Sequence, residues 1–478
     1  MITRCIQAGL ITLALATVCP CAEPTPAPAF ATAEHRLAVM DRQMDEMTAL
    51  VKGIAGNKVY VSRMAGGSFD ERLRRAVKQA SHGGRAVVIG PHDQPGKFIG
   101  PLTIPQHVPV EFQGGSFGFH EATHRLNIQG PIVASGGPIF VMPLPKNKAA
   151  LRLVLYDSQW VDEEKCNRYL PTVPAMWFDD GGRDDIGERI NKAIRCSGHD
   201  AVVTVGPWRG DWKDGTKNML RSTIDMHLKR WYHHQTLRGQ NHIGSTLVIS
   251  ADRPIVGLNC GGSKECRIEN IRITEQRPPE GKARQSACIA VGGVDMQVNG
   301  CWFGNAKYGI VCNTGIGQSF SDIIIEHCDV GAVVSGDFND DTIGGLLRGR
   351  MVMHPLFDNV ELHRCKTVGL NVGRSVTGAR FHRLTIKGSP VNVQVTGRTI
   401  GDISCEFDGC IMTGALCKIS KAKVRWRGGF VYGADSPAFE VADGSTLHIA
   451  NTTHGSEPLW SKDATSTVVE SGSMEMHR

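Results

Sequence analysis

Aromatic residues are scarce, at 6% of the 478 positions, while glycine occurs 55 times. A chain of this length has room for two or three compact domains. So few rings and so many glycines favour instead one elongated, repetitive domain with an appended module. Beyond the N-terminus no run is long and apolar enough to cross a membrane as a helix. No Cys-x-x-Cys pair and no Cys/His cluster at zinc spacing occurs, so no structural zinc and no metal ligands are predicted. A concentrated basic face with interleaved aromatics is also missing. The formal charge of +6 is spread along the chain, which argues against nucleic acid and favours a polyanionic partner of another kind.

The N-terminus carries one early charge, Arg4, an apolar run from Ile6 to Val18, and a Pro/Ala-rich stretch ending in Ala29-Phe30-Ala31. Residues 1–31 read as a secretory signal with an A-x-A type cleavage site, which predicts a secreted or periplasmic protein; a retained membrane anchor is the alternative. Three of the 15 cysteines lie in that segment, leaving twelve where disulfides are permitted. Cys260 with Cys266, and Cys166 with Cys196, are candidate bridges; the cysteines at apolar strand positions read as small buried hydrophobes. In residues 32–56, Leu37, Met40, Met44, Met47, Val51 and Ile54 recur at spacings of three and four. That stripe is either one amphipathic helix or a short coiled coil, the latter serving as the stalk of a homotrimer.

A module is written twice. Ser68-Phe69-Asp70-Glu71-Arg72-Leu73 leads into Ala86-Val87-Val88-Ile89-Gly90-Pro91, and Asp185-Ile186-Gly187-Glu188-Arg189-Ile190 leads into Ala201-Val202-Val203-Thr204-Val205-Gly206-Pro207. Each copy predicts a capping box, Ser68 with Glu71 and Asp185 with Glu188, then an amphipathic helix and a β-branched strand. Further on, Glu111-Phe112-Gln113-Gly114 echoes Thr236-Leu237-Arg238-Gly239. This opening, with Met176-Trp177-Phe178-Asp179-Asp180-Gly181-Gly182 before the second copy, resembles that of pectate-lyase-type proteins of the pectin lyase superfamily. The resemblance implies an all-β chain folded as a right-handed parallel β-helix, with short capping helices and an N-terminal helix. It divides the chain into a first β-helix-like module at 57–148 and the main β-helix at 149–478. It also implies a polysaccharide partner and leaves calcium open, although the aligned coils show no Asp/Glu nest for that ion.

From residue 240 onward short Val/Ile/Leu-rich segments are broken by Gly, Asn or Asp. Met296-Val298-Cys301, Ile323-Ile325-Cys328, Val360-Leu362-Cys365, Ala379-Phe381-Leu384, Cys405-Phe407-Cys410 and, with one inserted residue, Val424-Trp426-Phe430 fit one inward template. The template stacks Cys301, Cys328 and Cys365 inside a tube. Because side chains alternate along a strand, fixing the inward positions fixes the outward ones. One outward row reads Gln297, Ile324, Glu361, Arg380, Glu406, Arg425. The next reads Asn299, Glu326, His363, His382, Asp408, Arg427, beside Gly300, His327, Arg364 and Arg383.

The catalytic candidates are therefore Glu326, His363, His382 and Asp408, with Arg364, Arg383, Asp340 and Asp341 as candidate substrate-binding residues. Asp340 and Asp341 belong to a long excursion, Ser335 to Pro355, of the kind that overhangs a solenoid face. On this alignment Glu326 and Asp408 stand three coils apart, roughly 14 Å, too far for the roughly 5–9.5 Å of paired glycosidase carboxylates. Proton abstraction by His363 or His382, with Arg364 and Arg383 neutralising a uronate, suits the pattern better. The expected activity is elimination on an acidic polysaccharide; a glycoside hydrolase, a tailspike-like depolymerase and a non-catalytic binding β-helix are the alternatives. Trp160, Trp177, Trp208, Trp212, Trp231 and Tyr232 concentrate between 160 and 232, either filling a seam between modules or stacking on sugar rings.

Overall fold

The computed structural model describes residues 58–475, except 94–95, 98–99, 120–125, 135–136, 143–152, 155–171, 198–200, 207–217, 227–233, 242–244, 253, 279, 281, 339, 341–342, 344–350, 400–402, 415, 433–436 and 456–457, and describes the backbone alone at Leu153–Val154. The chain divides into two units, Met1–Gly56 and Asn57–Arg478, and every described residue belongs to the second. The expected signal, the heptad stripe, Cys166, Asp341 and all the clustered aromatics but Trp177 lie outside the described residues.

Each of the two stretches has a helix followed by a parallel strand. Helix α1, Phe69–Ser81, starts at a capping box: the Ser68 hydroxyl accepts from the Glu71 N–H, and the Glu71 carboxylate accepts from the Ser68 N–H. Leu73, Ala76, Val77 and Ala80 form its buried stripe. The strand Ala86–Ile89 that follows lies parallel to Lys58–Tyr60 on one side and Val110–Phe112 on the other. Helix α2, Ile186–Cys196, is likewise followed by Val202–Val205, parallel to Thr172–Pro174 and Thr236–Gly239. Its cap differs from expectation. Asp185 accepts from the Gly187 N–H and also from Arg221 and Ser222, but Glu188 does not reach back. Lys192 is fully buried and needs counter-charge; Glu188 at 3.6 Å and Asp179 at 2.9 Å supply it.

The rest is a right-handed parallel β-helix. Among the described residues its strands form one parallel sheet of 23 and another of ten. Each coil contributes one strand to the smaller sheet, then a leading and a trailing segment to the larger one. In one coil these are Val330–Val334, then 356–358, then 361–363. Phe357, Val360 and Leu362 point inward, so the inward spacing is three across the corner at Asn359 and two afterwards. The residue that absorbs the extra step sits in the left-handed region: Asn270, Gly300, Asp322, Asn359, Arg383, Gly409, Gly428 and Asn451 on successive coils. A second corner, at Asn305, His327, Arg364, Gly388 and Gly414, has the same geometry. Glycine adopts it freely and asparagine with little penalty.

Inside the tube, Phe320, Phe357, Phe381, Phe407 and Trp426 stack with ring centroids 4.3, 5.3, 4.7 and 4.8 Å apart. Such pairs contribute about 0.5–1.5 kcal/mol each beyond the burial of their area. The eleven described cysteines are all buried and unbridged, including Cys260, Cys266 and Cys196.

The register differs from the sequence template at three places. Cys301 precedes Trp302, which pairs with Ile324, so its neighbour is Ile323 and not Cys328. Similarly Glu361 pairs with Thr385, which places Leu384 beside Val360 and not beside Cys365. Cys328 and Cys365 do share one buried file; Cys301 lies in another, five residues away along the coil. No insertion separates the last two coils, since Ile411 pairs directly with Phe430.

Candidate functional site

The two corners give each coil two outward-facing segments, and the corrected register sorts the candidate residues between them. On the trailing segments the row reads Gly304, Glu326, His363, Lys387 and Thr413. On the leading segments it reads Asn299, Ser321, Asp358, His382, Asp408 and Arg427. Glu326 and His363 are thus neighbours, and so are His382 and Asp408, but the two pairs belong to different rows. Neighbouring coils lie about 4.8 Å apart in the sheet.

His363 is held. Its Nε2 lies 2.7 Å from a carboxylate oxygen of Glu361, two residues earlier on the same strand and the same outward face. With Nε2–H donated to Glu361, Nδ1 carries the free lone pair, which makes a hydrogen-bonded base of fixed orientation. Glu326 flanks this pair on one coil and Lys387 on the other. Arg364 follows at the second corner, in the left-handed region. Glu361 and Glu326 are diagonal neighbours on adjacent coils, since the Cα partner of Glu361 is Ile324; that relation places their positions about 7–8 Å apart.

His382 has acidic neighbours on both sides, Asp358 and Asp408. Arg383 is engaged: its guanidinium makes a bidentate pair with Asp358 at 2.7 and 2.9 Å. Asp340 is engaged too, holding Lys307 and the Tyr308 hydroxyl at 2.6 and 2.8 Å. Phe338 packs edge-on against Tyr308, and Ile343 is buried among Val256, Ala287, Ala290 and Val311, so these residues of the 335–355 excursion anchor it to the smaller sheet.

Beside the leading-segment row lies a cleft of about 450 Å³, lined by His354, Arg380, Glu406, Lys423, Arg425 and His448 among others. Arg380, Glu406, Arg425 and His448 occupy one position on four successive coils. Among the described lining residues Glu406 is the one carboxylate, and it lies 3.9 Å from Arg425 and 3.4 Å from Arg427. These exposed pairs are worth only about 0–1 kcal/mol, so the cations remain free to meet an anionic ligand. The ring of His354 occupies the space a Cβ on Gly378 would need.

No protein-family model and no curated protein matches the sequence. The fold does match solved structures. One is the full-length tailspike protein 2 of an Escherichia coli O157:H7 bacteriophage, CAB120, with 11% identity and a TM-score of 0.43, over 61% of this chain and 38% of that one. Another is the endo-xylogalacturonan hydrolase of Aspergillus tubingensis, with 10% identity and a TM-score of 0.39, over 64% and 92%. A third is the catalytic unit of a GH87 alpha-1,3-glucanase from Streptomyces thermodiastaticus, with 13% identity and a TM-score of 0.29, over 88% and 69%. The chain spans well under half the length of the tailspike.

Sequence reasoning missed His354, Lys423 and His448. The signal was present: Lys423, Arg425 and Arg427 alternate along Ala422–Arg427 with the buried Val424 and Trp426. Only the register that pairs Arg425 with His448 turns that alternation into one wall of a cleft. Among the described residues no three His, Cys, Asp or Glu side chains converge as metal ligands.

Proposed function

We propose that this protein binds an acidic polysaccharide along the outer face of its larger sheet and cleaves it by β-elimination, with His363 as the base. The observation that carries this reading is the 2.7 Å hydrogen bond from His363 to Glu361, half-buried on the outer side of the sheet and flanked by Lys387. The cations Arg380, Lys423 and Arg425 around Glu406 make the neighbouring leading segments attractive to uronate units.

In the reaction, Nδ1 of His363 takes the proton from C5 of a uronate. The C5–H electron pair forms the C4=C5 double bond, the C4–O4 bond breaks, and the departing oxygen takes up a proton from water. Lys387 and Arg364 neutralise the sugar carboxylate and the enolate charge that grows on it as the C5 proton leaves. Glu361 fixes the imidazole tautomer and stabilises the imidazolium that forms. The same reading takes the chain to be exported through residues 1–31, and leaves any trimer to residues 32–56.

A second reading rests on Glu326 and Glu361. Their diagonal placement, about 7–8 Å, falls within the roughly 5–9.5 Å of glycosidase carboxylate pairs, so hydrolysis is the competing outcome.

The test is incubation of the full chain with a panel of uronate polymers, following the ultraviolet absorbance of unsaturated ends and, separately, total reducing ends. Elimination predicts both signals in parallel. His363→Ala should lower the rate about 10²–10⁴-fold, and Glu361→Gln should lower it less while leaving KM unchanged. Reducing ends without absorbance would establish hydrolysis instead, and an undiminished rate in His363→Ala would remove the assignment of the base.

A further inference from the structure

A second cavity, of about 650 Å³, opens where the second corner meets Arg277, Pro278, Glu280, Lys282 and Arg284. Its size lies within the range of pockets that enclose small organic ligands, about 300–1,000 Å³. Three of its lining residues occupy one corner position on successive coils: Glu275, Asn305 and His327. Arg277, Lys282, Arg284 and Lys366 bring four cations to it, against one exposed carboxylate, Glu280. Asp329 stands behind Arg284 and Lys366, at 3.8 and 3.1 Å.

Glu275 is the unusual member. It is 4% exposed; one carboxyl oxygen accepts from the Gln285 N–H, and the other, Oε2, is buried without a hydrogen bond. The Nη1 of Arg284 is likewise buried without one. Burial pushes the Glu275 carboxyl above its ordinary value, although Gln285, Ser286 and Arg284 pull the other way. A protonated carboxyl can donate to a ligand and does not repel an anion.

From the four cations and the cavity they line, we infer that this cavity binds one short, carboxylate-bearing saccharide, with Arg284 and Lys282 as its charged contacts; the choice of a saccharide rests on the acidic polysaccharide proposed above. The site is separate from the His363–Glu361 pair and does not require elimination.

Isothermal titration of the full chain with free galacturonate, galactose and inorganic phosphate tests the inference. Galacturonate should bind, galactose at least tenfold more weakly, and phosphate should not displace the uronate. Arg284→Met should weaken binding tenfold or more and Lys282→Ala, on the exposed segment, severalfold, with thermal unfolding confirming that both variants fold. Affinity should fall as pH rises and Glu275 ionises among Arg277, Glu280, Lys282, Arg284, His327 and Lys366; in Glu275→Gln that loss should be absent. His363→Ala should bind like the wild type, which separates this site from the catalytic reading. Equal binding of galactose, displacement by phosphate, or wild-type affinity in both the Arg284 and Lys282 variants would overturn the inference.

Discussion

At the scale of single residues, burial decides which groups are chemically available. The thiols of Cys301, Cys312, Cys405, Cys410 and Cys417 are pushed up to about 12 by burial, and the thiolate is the reactive form. Alkylation of the native protein at pH 8 should therefore leave these five unmodified by mass spectrometry, whereas unfolded protein should label fully; rapid native labelling would place them outside the tube. Glu275 gives a pH dependence of defined sign. Its folded value is raised above the ordinary 4.5, so its contribution to stability is complete below that pH and is lost as pH rises through the folded value. Glu275→Gln should flatten the fall in unfolding free energy over that window, measured by urea titration at a series of pH values; an unchanged slope would mean that another group titrates there.

At the scale of elements, the aromatic file and the left-handed corners define the coil. Phe381 sits in the middle of the file, with rings on both sides at 5.3 and 4.7 Å. Phe381→Ala should cost about 3–5 kcal/mol, readable as a drop in the denaturant midpoint; a loss below 1 kcal/mol would show that the file does not hold the coils together. The same elements explain what could and could not be read from sequence. Apolar alternation and glycine or asparagine corners pointed to a solenoid of short strands, because both follow from local backbone geometry, and the resemblance of the opening stretch implied a parallel β-helix. The register was harder. Each coil has two corners, and each writes the same signature: inward residues three apart with a left-handed residue between them. Ile323-Ile325-Cys328 matches the second corner at His327, while Met296-Val298-Cys301 matches the first at Gly300. A template that accepts either slips by five residues, and it joined Glu326, His363, His382 and Asp408 into one row where the structure has two. The Glu361–His363 contact needed no register, since both residues lie on one strand two positions apart, yet it was hidden by reading them as members of separate rows.

At the scale of the whole molecule, a solenoid brings distant residues together only through the pairing of one coil with the next. Glu326, His363 and Lys387 are 37 and 24 positions apart in sequence and adjacent only because their strands pair as they do. The cleft at Arg380, Glu406, Arg425 and His448 rests on the same pairing. Disulfide trapping tests that pairing most directly. Trp302 and Ile324 are Cα partners on neighbouring coils, within the roughly 4.4–6.8 Å that a disulfide spans between Cα atoms; a slip of one corner would put Gln297 beside Ile324 instead. Oxidation of the Trp302→Cys/Ile324→Cys variant should give an intramolecular bridge by mass spectrometry, and Gln297→Cys/Ile324→Cys should give none. A bridge in the second variant and none in the first would contradict the stacking on which the proposed site depends.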